Sequence, residues 1–405
     1  MTSTISSLSF HIGKSVTISG WLYNKRSSGK IAFLELRDGS GFVQGIVYKP
    51  DVAETVWQAA EQVTQESSVI VAGTVAAHPK RPGEFELHIT ELTIVQLAPE
   101  YPLGKKEHGP DFLLDNRHLW LRSKKQWAIQ RVRDVAIQAI YEFFHSRGFI
   151  KIDTPILTPD ACEGATTLFE LEYFDQGKVF LSQSGQLYLE AAIMSVGKAF
   201  DFGPTFRAEK SKTKRHLTEF WMMDAEAAFV EHEENMRIQE ELIIAVVRTA
   251  LERCAVELAI LERTLAPLQH IASLQNKKAP FTRLSYADAI KQLHSLGSDI
   301  KDGEDLGNDD ESLLTTDSPA PIFIERWPRA IKPFYMKRDP KNPELVLNND
   351  LIGIEGAGEL IGGSQREDDY ETLQAAIELE GRPDQNISGI SICAALAACL
   401  TAALD

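Results

Sequence analysis

The sequence predicts an α+β protein in which a small β-barrel precedes a larger mixed domain. Three observations support this. The first 100 residues contain five β-rich segments, helical periodicity begins near Trp127, and apolar runs near 199–200 and 220–223 flank a strongly charged stretch. The last pattern is the layout of two strands joined by a loop. The 405 residues allow two or three domains at roughly 100–200 residues each.

The barrel prediction comes from the order of elements in the first 98 residues. A helix is expected at about 51–65, between the third and fourth β-rich segments, and Asp38-Gly39-Ser40-Gly41 is typical of a turn. The five segments are 15–23, 31–36, 42–48, 69–75 and 85–90. Five strands with a helix after the third is the order of an OB fold, a common platform for single-stranded nucleic acid. On this pattern alone, a generic small barrel is the alternative.

Pro and Gly residues mark 99–125 as a linker. A helix is then expected from Trp127 to Ser146, ending at Gly148, followed by a short strand at 149–152 that Pro155 stops. A second helix is expected at about 232–263. The region that follows, up to 345, is rich in Asp, Gly and Pro and predicts short mixed elements.

The net charge is −16, but residues 1–125 carry +1 and the remainder −17. The acidity therefore does not exclude an anionic partner for the barrel. The four cysteines, Cys162, Cys254, Cys393 and Cys399, have no CxxC spacing, and the N-terminus lacks the pattern of a signal peptide. No apolar run is long enough to cross a bilayer. These features predict a reduced, cytoplasmic protein without a structural zinc site and without a membrane partner.

Two polar clusters stand out. One is Phe206-Arg207-Ala208-Glu209, followed by a basic stretch up to Arg215-His216-Leu217. On composition alone, a solvated charged hairpin is the better interpretation of this cluster. The other runs from Asn348-Asn349-Asp350 through Glu359 to Gly362-Gly363-Ser364-Gln365-Arg366. Carboxylates beside small residues suit a divalent metal and a phosphate, although acidic turns are common.

Together, the barrel, the linker and the two clusters resemble the asparaginyl branch of the class II aminoacyl-tRNA synthetases, over about residues 16–385. The first motif of the family matches the helix and strand that lead into Pro155, and the second matches the cluster around Arg207. The asparaginyl branch is indicated by Ser184-Gly185-Gln186-Leu187-Tyr188, because the aspartyl branch usually has Pro where Gly185 stands, and by the stretch 221–226.

The resemblance implies an architecture and partners. It implies an OB-fold anticodon-binding domain at 1–98, a linker at 99–125 and a catalytic domain at 126–387. That domain would contain an antiparallel sheet flanked by helices and a family-type insertion at 265–345. Its substrates would be ATP, asparagine and tRNA(Asn), its cofactor Mg²⁺, and two copies would pair through the first motif.

The resemblance also implies residue roles. Arg207 would be catalytic, because its planar fork can bridge the substrate carboxylate and the α-phosphate of ATP. Glu359, with Asp350 as helper, would hold the metal. The ATP-binding residues would be Arg207, Glu209, Arg215, His216, Leu217 and Glu359. The amino-acid-binding residues would be Glu163, Gln186 and Arg366, with Glu209 as an acceptor for the substrate amide. The anticodon-binding residues would be Arg26, Phe33 and Gln44.

The third motif of the family is missing. After a helix expected at about Asp369 to Glu380, the chain ends in an Ala-rich tail, Ser388 to Asp405, that does not match. Suitable synonymous codons for this tail, regrouped by one base, encode Gln-Trp-Tyr-Leu-Asp-Leu-Arg-Arg-Val-Gly-Ser-Val-Pro-His-Ser-Gly-Phe-Gly, which is the start of the missing motif. We therefore expect 388–405 to be an out-of-frame translation, with a natural Ala-rich helix as the alternative.

The altered tail predicts a defect. The lost strand would be central in the catalytic sheet, so we expect bare sheet edges and poor or absent activation of asparagine. A non-catalytic tRNA- or partner-binding paralogue is the first alternative function, although Arg207, Glu209, Arg215 and Glu359 are all present. An aspartate-accepting enzyme is a weaker one.

Overall fold

A computed structural model describes residues 1–104, 106–159, 168–210 and 217–379, and the backbone of Thr401–Leu404. The chain divides into two compact units, Met1–Arg122 and Ser123–Asp405. In the described residues, no helix is both long and apolar enough to cross a membrane.

The first unit is built on a closed five-stranded barrel with the strand order β1-β2-β3-β5-β4. Its strands are β1 (Ser15–Ser28), β2 (Ile31–Arg37), β3 (Phe42–Tyr48), β4 (Ser68–Ala77) and β5 (Phe85–Gln96). Helix α1 (Glu54–Gln62) lies between β3 and β4. This confirms the predicted OB fold with its helix after the third strand. Two short helices, α2 (Pro110–Asp115) and α3 (Arg117–Trp120), follow in the segment predicted as a linker.

Every second side chain along the strands points into the barrel and fills its interior. Along β2, Ala32, Leu34 and Leu36 are each 1% exposed, whereas the residues between them are partly exposed. Because successive side chains of a strand point to opposite faces, one face of β2 packs inside and the other faces outward. Gly73 lies where β4 meets β5, and a Cβ there would come within 2.3 Å of the His88 carbonyl oxygen. Glycine is therefore required for the close approach of these strands.

The second unit contains an eight-stranded sheet in the order β12-β13-β16-β17-β18-β11-β10-β6. Its inner pairs are antiparallel, while β6 and β12 pair in parallel at the two edges. Its strands are β6 (Ile150–Lys151), β10 (Lys198–Phe206), β11 (Glu219–Ala228), β12 (Thr282–Ser285), β13 (Ile322–Glu325), β16 (Asn348–Gly353), β17 (Gly358–Gln365) and β18 (Thr401–Leu404). Smaller sheets contain β7 (Leu157–Thr158), β8 (Glu170–Glu172) and β9 (Lys178–Leu181), and β14 (Arg338–Asp339) with β15 (Asn342–Val346).

Helices flank this sheet. They are α4 (Lys124–Ser146), α5 (Gln186–Val196), α6 (His232–Arg253), α7 (Ala255–Ile260), α8 (Ala266–Ser273), α9 (Tyr286–Ser295), α10 (Asn308–Thr315) and α11 (Tyr370–Leu379). Short 3₁₀ helices occur at Ile5–His11, Lys49–Asp51 and Arg329–Ile331. The Ser123 hydroxyl caps α4 by accepting a hydrogen bond from the Gln126 amide. The prediction of a single helix at 232–263 is wrong in detail. Cys254 leaves the helical conformation and separates α6 from α7.

The expectation of bare sheet edges is also wrong over the residues that β18 covers. The backbone of Thr401–Leu404 lies between β11 and β17, and it pairs antiparallel with Ala225–Ala228 on one side and 363–365 on the other. A strand from the tail therefore satisfies backbone groups at the place where the missing strand was expected.

Candidate functional site

One outward face of the barrel carries the three residues predicted to contact the anticodon. The strand register places Arg26 opposite Phe33 and Gln44 opposite Glu35. Since directly opposed residues project to the same face, Arg26, Phe33 and Gln44 share that face. The Arg26 guanidinium lies 4.5 Å from the centre of the Phe33 ring, and its Nη2 donates to Gln44 Oε1 at 3.2 Å. The arrangement places an aromatic ring beside a guanidinium, which suits stacking of a base beside a phosphate.

A cleft of about 960 Å³ in the second unit collects most of the predicted ATP site. Of the predicted residues, those that line it are Arg207, Glu209, Leu217, Asp350 and Glu359. They come from the ends of the hairpin β10–β11 and from the neighbouring pair β16–β17. Glu163, Arg215 and His216 lie outside the described residues.

The β10–β11 hairpin positions Arg207 at the start of its connection. The nine pairs of the ladder run from Lys198↔Ala227 to Phe206↔Glu219, and the Arg207 amide then donates to the Thr218 carbonyl at 3.1 Å. The Arg207 guanidinium lies 5.5 Å from the centre of the Phe220 ring. The side chain is thus half-buried at the mouth of the cleft, where its fork can reach an anion.

Lys332 is a cleft residue that the sequence did not indicate. Its Nζ lies 2.8 Å from Asp350 Oδ2, with the two side chains only 13% and 10% exposed, and 3.9 Å from the centre of the Trp327 ring. Burial lowers the pKa of the Lys332 ammonium, but the ion pair with Asp350 more than offsets this and raises its pKa. Lys332 precedes Asp350 by 18 positions in the sequence, and the two side chains meet only in the folded structure.

The donors available for a metal are few. Among the described residues, no group of three or more His, Cys, Asp or Glu side chains is placed to hold a metal ion. Mg²⁺ usually keeps several waters and takes only one or two carboxylates besides substrate phosphates. Glu359 is exposed in the cleft, while Asp350 is buried against Lys332. The donor set therefore fits Mg²⁺ arriving with phosphates, with Glu359 the more accessible ligand.

Behind the cleft lies a buried charged pocket around Arg366, whose side chain is 2% exposed. Its Nη2 donates to Glu226 Oε1 at 2.5 Å, and Glu226 is fully buried. Nη1 donates to the Ser364 hydroxyl at 3.3 Å, and the guanidinium lies 4.4 Å from the centre of the Tyr335 ring. Ser364 and Tyr335 also line the cleft, so the pocket adjoins it.

This pocket contains a carboxylate to which the sequence analysis assigned no role. Glu209, predicted as the acceptor for the substrate amide, is exposed in the cleft, and Glu226 is the carboxylate in contact with Arg366. The sequence reasoning missed Glu226 because it lies on β11 and Arg366 follows β17, 140 positions later. A signal did exist in the match at 221–226, although no role was assigned to its last residue.

Gln186, the other described amino-acid candidate, is fully buried at the start of α5. Asp224 fixes this start, because its Oδ2 accepts from the Gly185 amide at 2.6 Å, and the Ser184 hydroxyl accepts from the Gln186 amide at 3.0 Å. A Cβ on Gly185 would come within 2.7 Å of Thr154 Oγ1. The Gly185 position therefore needs both an N–H and the absence of a side chain. Proline offers neither.

Comparisons with known proteins agree with this layout. Residues 109–389 match the family model described as tRNA synthetases class II (D, K and N), and residues 16–95 match that of the OB-fold nucleic acid binding domain. A solved structure of asparaginyl-tRNA synthetase from Pyrococcus horikoshii, complexed with asparaginyl-adenylate, is 40% identical, with a TM-score of 0.91. The match covers 98% of this chain and 90% of that one.

Two structures from Entamoeba histolytica are also similar. Its asparaginyl-tRNA synthetase is 29% identical with a TM-score of 0.83, covering 97% of this chain and 90% of that one. Its aspartyl-tRNA synthetase is 27% identical with a TM-score of 0.80, covering 100% of this chain and 86% of that one.

Proposed function

Because the chain belongs to the class II tRNA synthetases of the D, K and N group, we propose that it is an asparagine–tRNA ligase that activates asparagine with ATP and transfers it to tRNA(Asn). One observation carries the choice of asparagine: the contact between Arg366 and Glu226 in the buried pocket. A carboxamide presents one acceptor and one donor group, and this pair presents a donor beside an acceptor.

The same pair disfavours aspartate. An aspartate side chain offers only acceptors, so one of its oxygens would face the Glu226 carboxylate in a buried site, where the repulsion is strong. Arg366 alone would favour aspartate. The buried negative partner is therefore what shifts the preference toward the neutral amide.

In the activation step, the asparagine carboxylate attacks the α-phosphate of ATP, and pyrophosphate leaves. Both reactants are anions, so they must be held together against their repulsion. We propose that Arg207 bridges the two at the mouth of the cleft, while Gln186 and Arg366 hold the amino acid and Glu209 and Leu217 contact the nucleotide. The proposal is supported by the location of Arg207, Glu209 and Leu217 along a single cleft and of Arg366 in the adjoining pocket.

We propose that Glu359 holds Mg²⁺ on the phosphates, assisted by Asp350. When bound, the ion neutralises charge on the phosphate oxygens. Lys332 keeps Asp350 in place and adds a positive charge on the same wall of the cleft. For the residues outside the described part, the same resemblance assigns ATP to Arg215 and His216 and the substrate ammonium to Glu163.

We propose that tRNA binds through the outward barrel face of Arg26, Phe33 and Gln44. The family match of 16–95 to a nucleic acid binding domain and the near-neutral charge of this part of the chain support this. Two copies of the chain would pair through α4 and β6, since Ile129 on α4 and Ile150 on β6 are exposed apolar side chains. We also propose a cytoplasmic location.

The test compares amino acids rather than absolute rates. Pyrophosphate exchange is measured with asparagine, aspartate and lysine, and binding of the unreactive adenylate analogue asparaginyl-sulfamoyl-adenosine is measured in parallel. We expect the analogue to bind, and any exchange, however slow, to be fastest with asparagine. Preference for aspartate would instead establish the aspartate-accepting alternative. A chain that binds tRNA but neither the analogue nor asparagine would be the non-catalytic paralogue.

We also propose that Ser388 to Asp405 is read out of frame. Support comes from the regrouped codons and from the family match, which ends at residue 389. The nucleotide sequence from about codon 366 onward decides this. A gene that lacks the regrouped codons contradicts the proposal.

A further inference from the structure

A second buried carboxyl group belongs to Glu190 on α5, the helix whose start is fixed by Asp224, two residues before Glu226 on β11. Glu190 follows Gln186 by four residues in α5, so the two side chains lie on the same face of that helix. Glu190 is 8% exposed, and its Oε2 is buried with no hydrogen-bond partner among the described residues. A buried carboxyl oxygen without a partner is costly, and it indicates a partner that the protein binds.

The charge of Arg366 acts on this carboxyl. Burial raises the pKa of Glu190, and the positive charge of Arg366 partly offsets that effect. Arg366 is already paired with Glu226, so the single guanidinium serves two carboxyl groups. A hydrogen-bond donor at Oε2 would favour the ionised form of Glu190. Glu226 and Glu190 therefore share one guanidinium, and Glu190 Oε2 can accept a further hydrogen bond.

We propose that Glu190 is a specificity-determining residue that accepts the second amide hydrogen of the asparagine side chain. This inference rests on the proposed function. A carboxamide has two N–H donors and one carbonyl oxygen. Glu226 and Glu190 each take one of the N–H groups, and Arg366 donates to the carbonyl. An aspartate side chain in the same place offers no donor to Glu190 and sets one of its oxygens against the Glu226 carboxylate.

Glu190→Gln tests the proposal, because glutamine keeps the shape but adds a donor and removes the charge. Calorimetry measures the affinity of the full chain for asparaginyl- and aspartyl-sulfamoyl-adenosine. We expect the substitution to weaken binding of the asparaginyl analogue and to strengthen binding of the aspartyl analogue. The ratio of the asparaginyl affinity to the aspartyl affinity should therefore fall roughly tenfold or more. The matched control is Glu257→Gln. Glu257 is another buried glutamate, which lies on α7 and pairs with Arg131, so its substitution should leave the affinity ratio unchanged.

Two further variants keep the test decisive. Glu190→Asp retains the charge and should still reject the aspartyl analogue. If Glu190→Gln does not fold, as judged by circular dichroism, the ratio is read in Glu190→Met, which removes the charge without adding a donor and should also lower it. A ratio that stays at the wild-type value in a folded variant without the charge overturns the inference while leaving the proposed function standing. A wild-type chain that binds neither analogue, or prefers the aspartyl one, overturns the proposed function itself.

Discussion

Lys332 and Asp350 show how a buried ion pair depends on both of its members. Removing one partner strands the other charge in a poorly solvated site, which typically costs about 3–5 kcal/mol. An exposed pair is worth far less, about 0–1 kcal/mol, because water screens it and the side chains lose entropy. The Lys291–Asp288 pair, with side chains 77% and 61% exposed, is of the second kind.

We therefore predict that Lys332→Met lowers the free energy of unfolding of the second unit by about 3 kcal/mol or more. Lys291→Met, the matched control, should change it by less than about 1 kcal/mol. Urea unfolding followed by tryptophan fluorescence measures both. The double variant Lys332→Met with Asp350→Asn should recover part of the loss. If the double variant is less stable than the single one, the stranded charge is not the cause.

A second prediction concerns Phe33. Base–aromatic stacking is worth about 1–3 kcal/mol per base, so Phe33→Ala should weaken tRNA(Asn) binding roughly 5- to 150-fold in a filter-binding or fluorescence assay. Ile70→Ala truncates another apolar residue on the barrel surface, 39% exposed on β4, and should leave the affinity unchanged. Equal losses in the two variants would locate the tRNA contact elsewhere.

Individual residues were predictable only where the sequence keeps them together. Arg207 and Glu209 are two residues apart in one short motif, and Ser364 and Arg366 are two residues apart in another. Lys332, Glu226 and Glu190 reach the site from distant positions, and their partners depend on which strands pair and in what register. Local pattern carries no information about such pairings.

At the scale of elements, the start of α5 depends on a backbone hydrogen bond. The Gly185 amide donates to Asp224, and a Cβ at this position would crowd the side chains of Thr154 and Asp201. We predict that Gly185→Pro, which removes the N–H and adds bulk, abolishes binding of asparaginyl-sulfamoyl-adenosine in calorimetry.

Gly185→Ala separates the two causes. Alanine keeps the N–H but places a Cβ within 2.7 Å of Thr154 Oγ1, the end of a side chain that can shift. We expect it to weaken binding less than proline does. Equal effects of the two substitutions would assign the requirement to space alone and would contradict a role for the hydrogen bond.

Contacts between the end of β13 and the start of α6 make the stability of the fold depend on pH. His232 Nε2 donates to Glu325 Oε2 at 3.1 Å, and Arg326 also contacts this carboxylate. Burial opposes ionisation of Glu325, but these donors and charges lower its pKa below the ordinary value of 4.5. Because the folded-state pKa is depressed, the stabilisation is complete above about pH 4.5 and is lost as the pH falls through the lowered value.

We predict that Glu325→Gln is less stable than the wild type at pH 7, and that the difference shrinks as the pH approaches 3. Thermal unfolding at several pH values measures this. Glu344→Gln changes an exposed glutamate on β15 and should give no such trend. A difference between wild type and Glu325→Gln that is constant with pH would show that packing, rather than ionisation, is responsible.

The elements were predicted well where periodicity is strong and one face is buried, as in the barrel strands, α4 and α11. The boundary between α6 and α7 was not, because Cys254 is a permitted helical residue and its departure from helical geometry is a tertiary effect. Nor could sequence reasoning foresee the pairing of Thr401–Leu404, since it lies in a stretch that resembles nothing in the family.

At the scale of the whole molecule, the tail governs activity. The family's γ-phosphate-binding arginine lies in its third motif, so we predict that the 405-residue chain exchanges pyrophosphate with asparagine slowly or not at all, in spite of an intact Arg207. Steady-state exchange by the purified chain measures this. Robust exchange would show that the tail replaces the third motif in function as well as in the sheet.

The position of β18 has a geometric consequence for specificity. Neighbouring strands lie about 4.8 Å apart, so β11 and β17 are separated by roughly 9–10 Å across the strand between them. Glu226 on β11 and Arg366 beyond β17 meet above that gap. The intervening backbone therefore sets the distance between these two strands, and with it the separation of the acceptor and donor that we propose to contact the carboxamide.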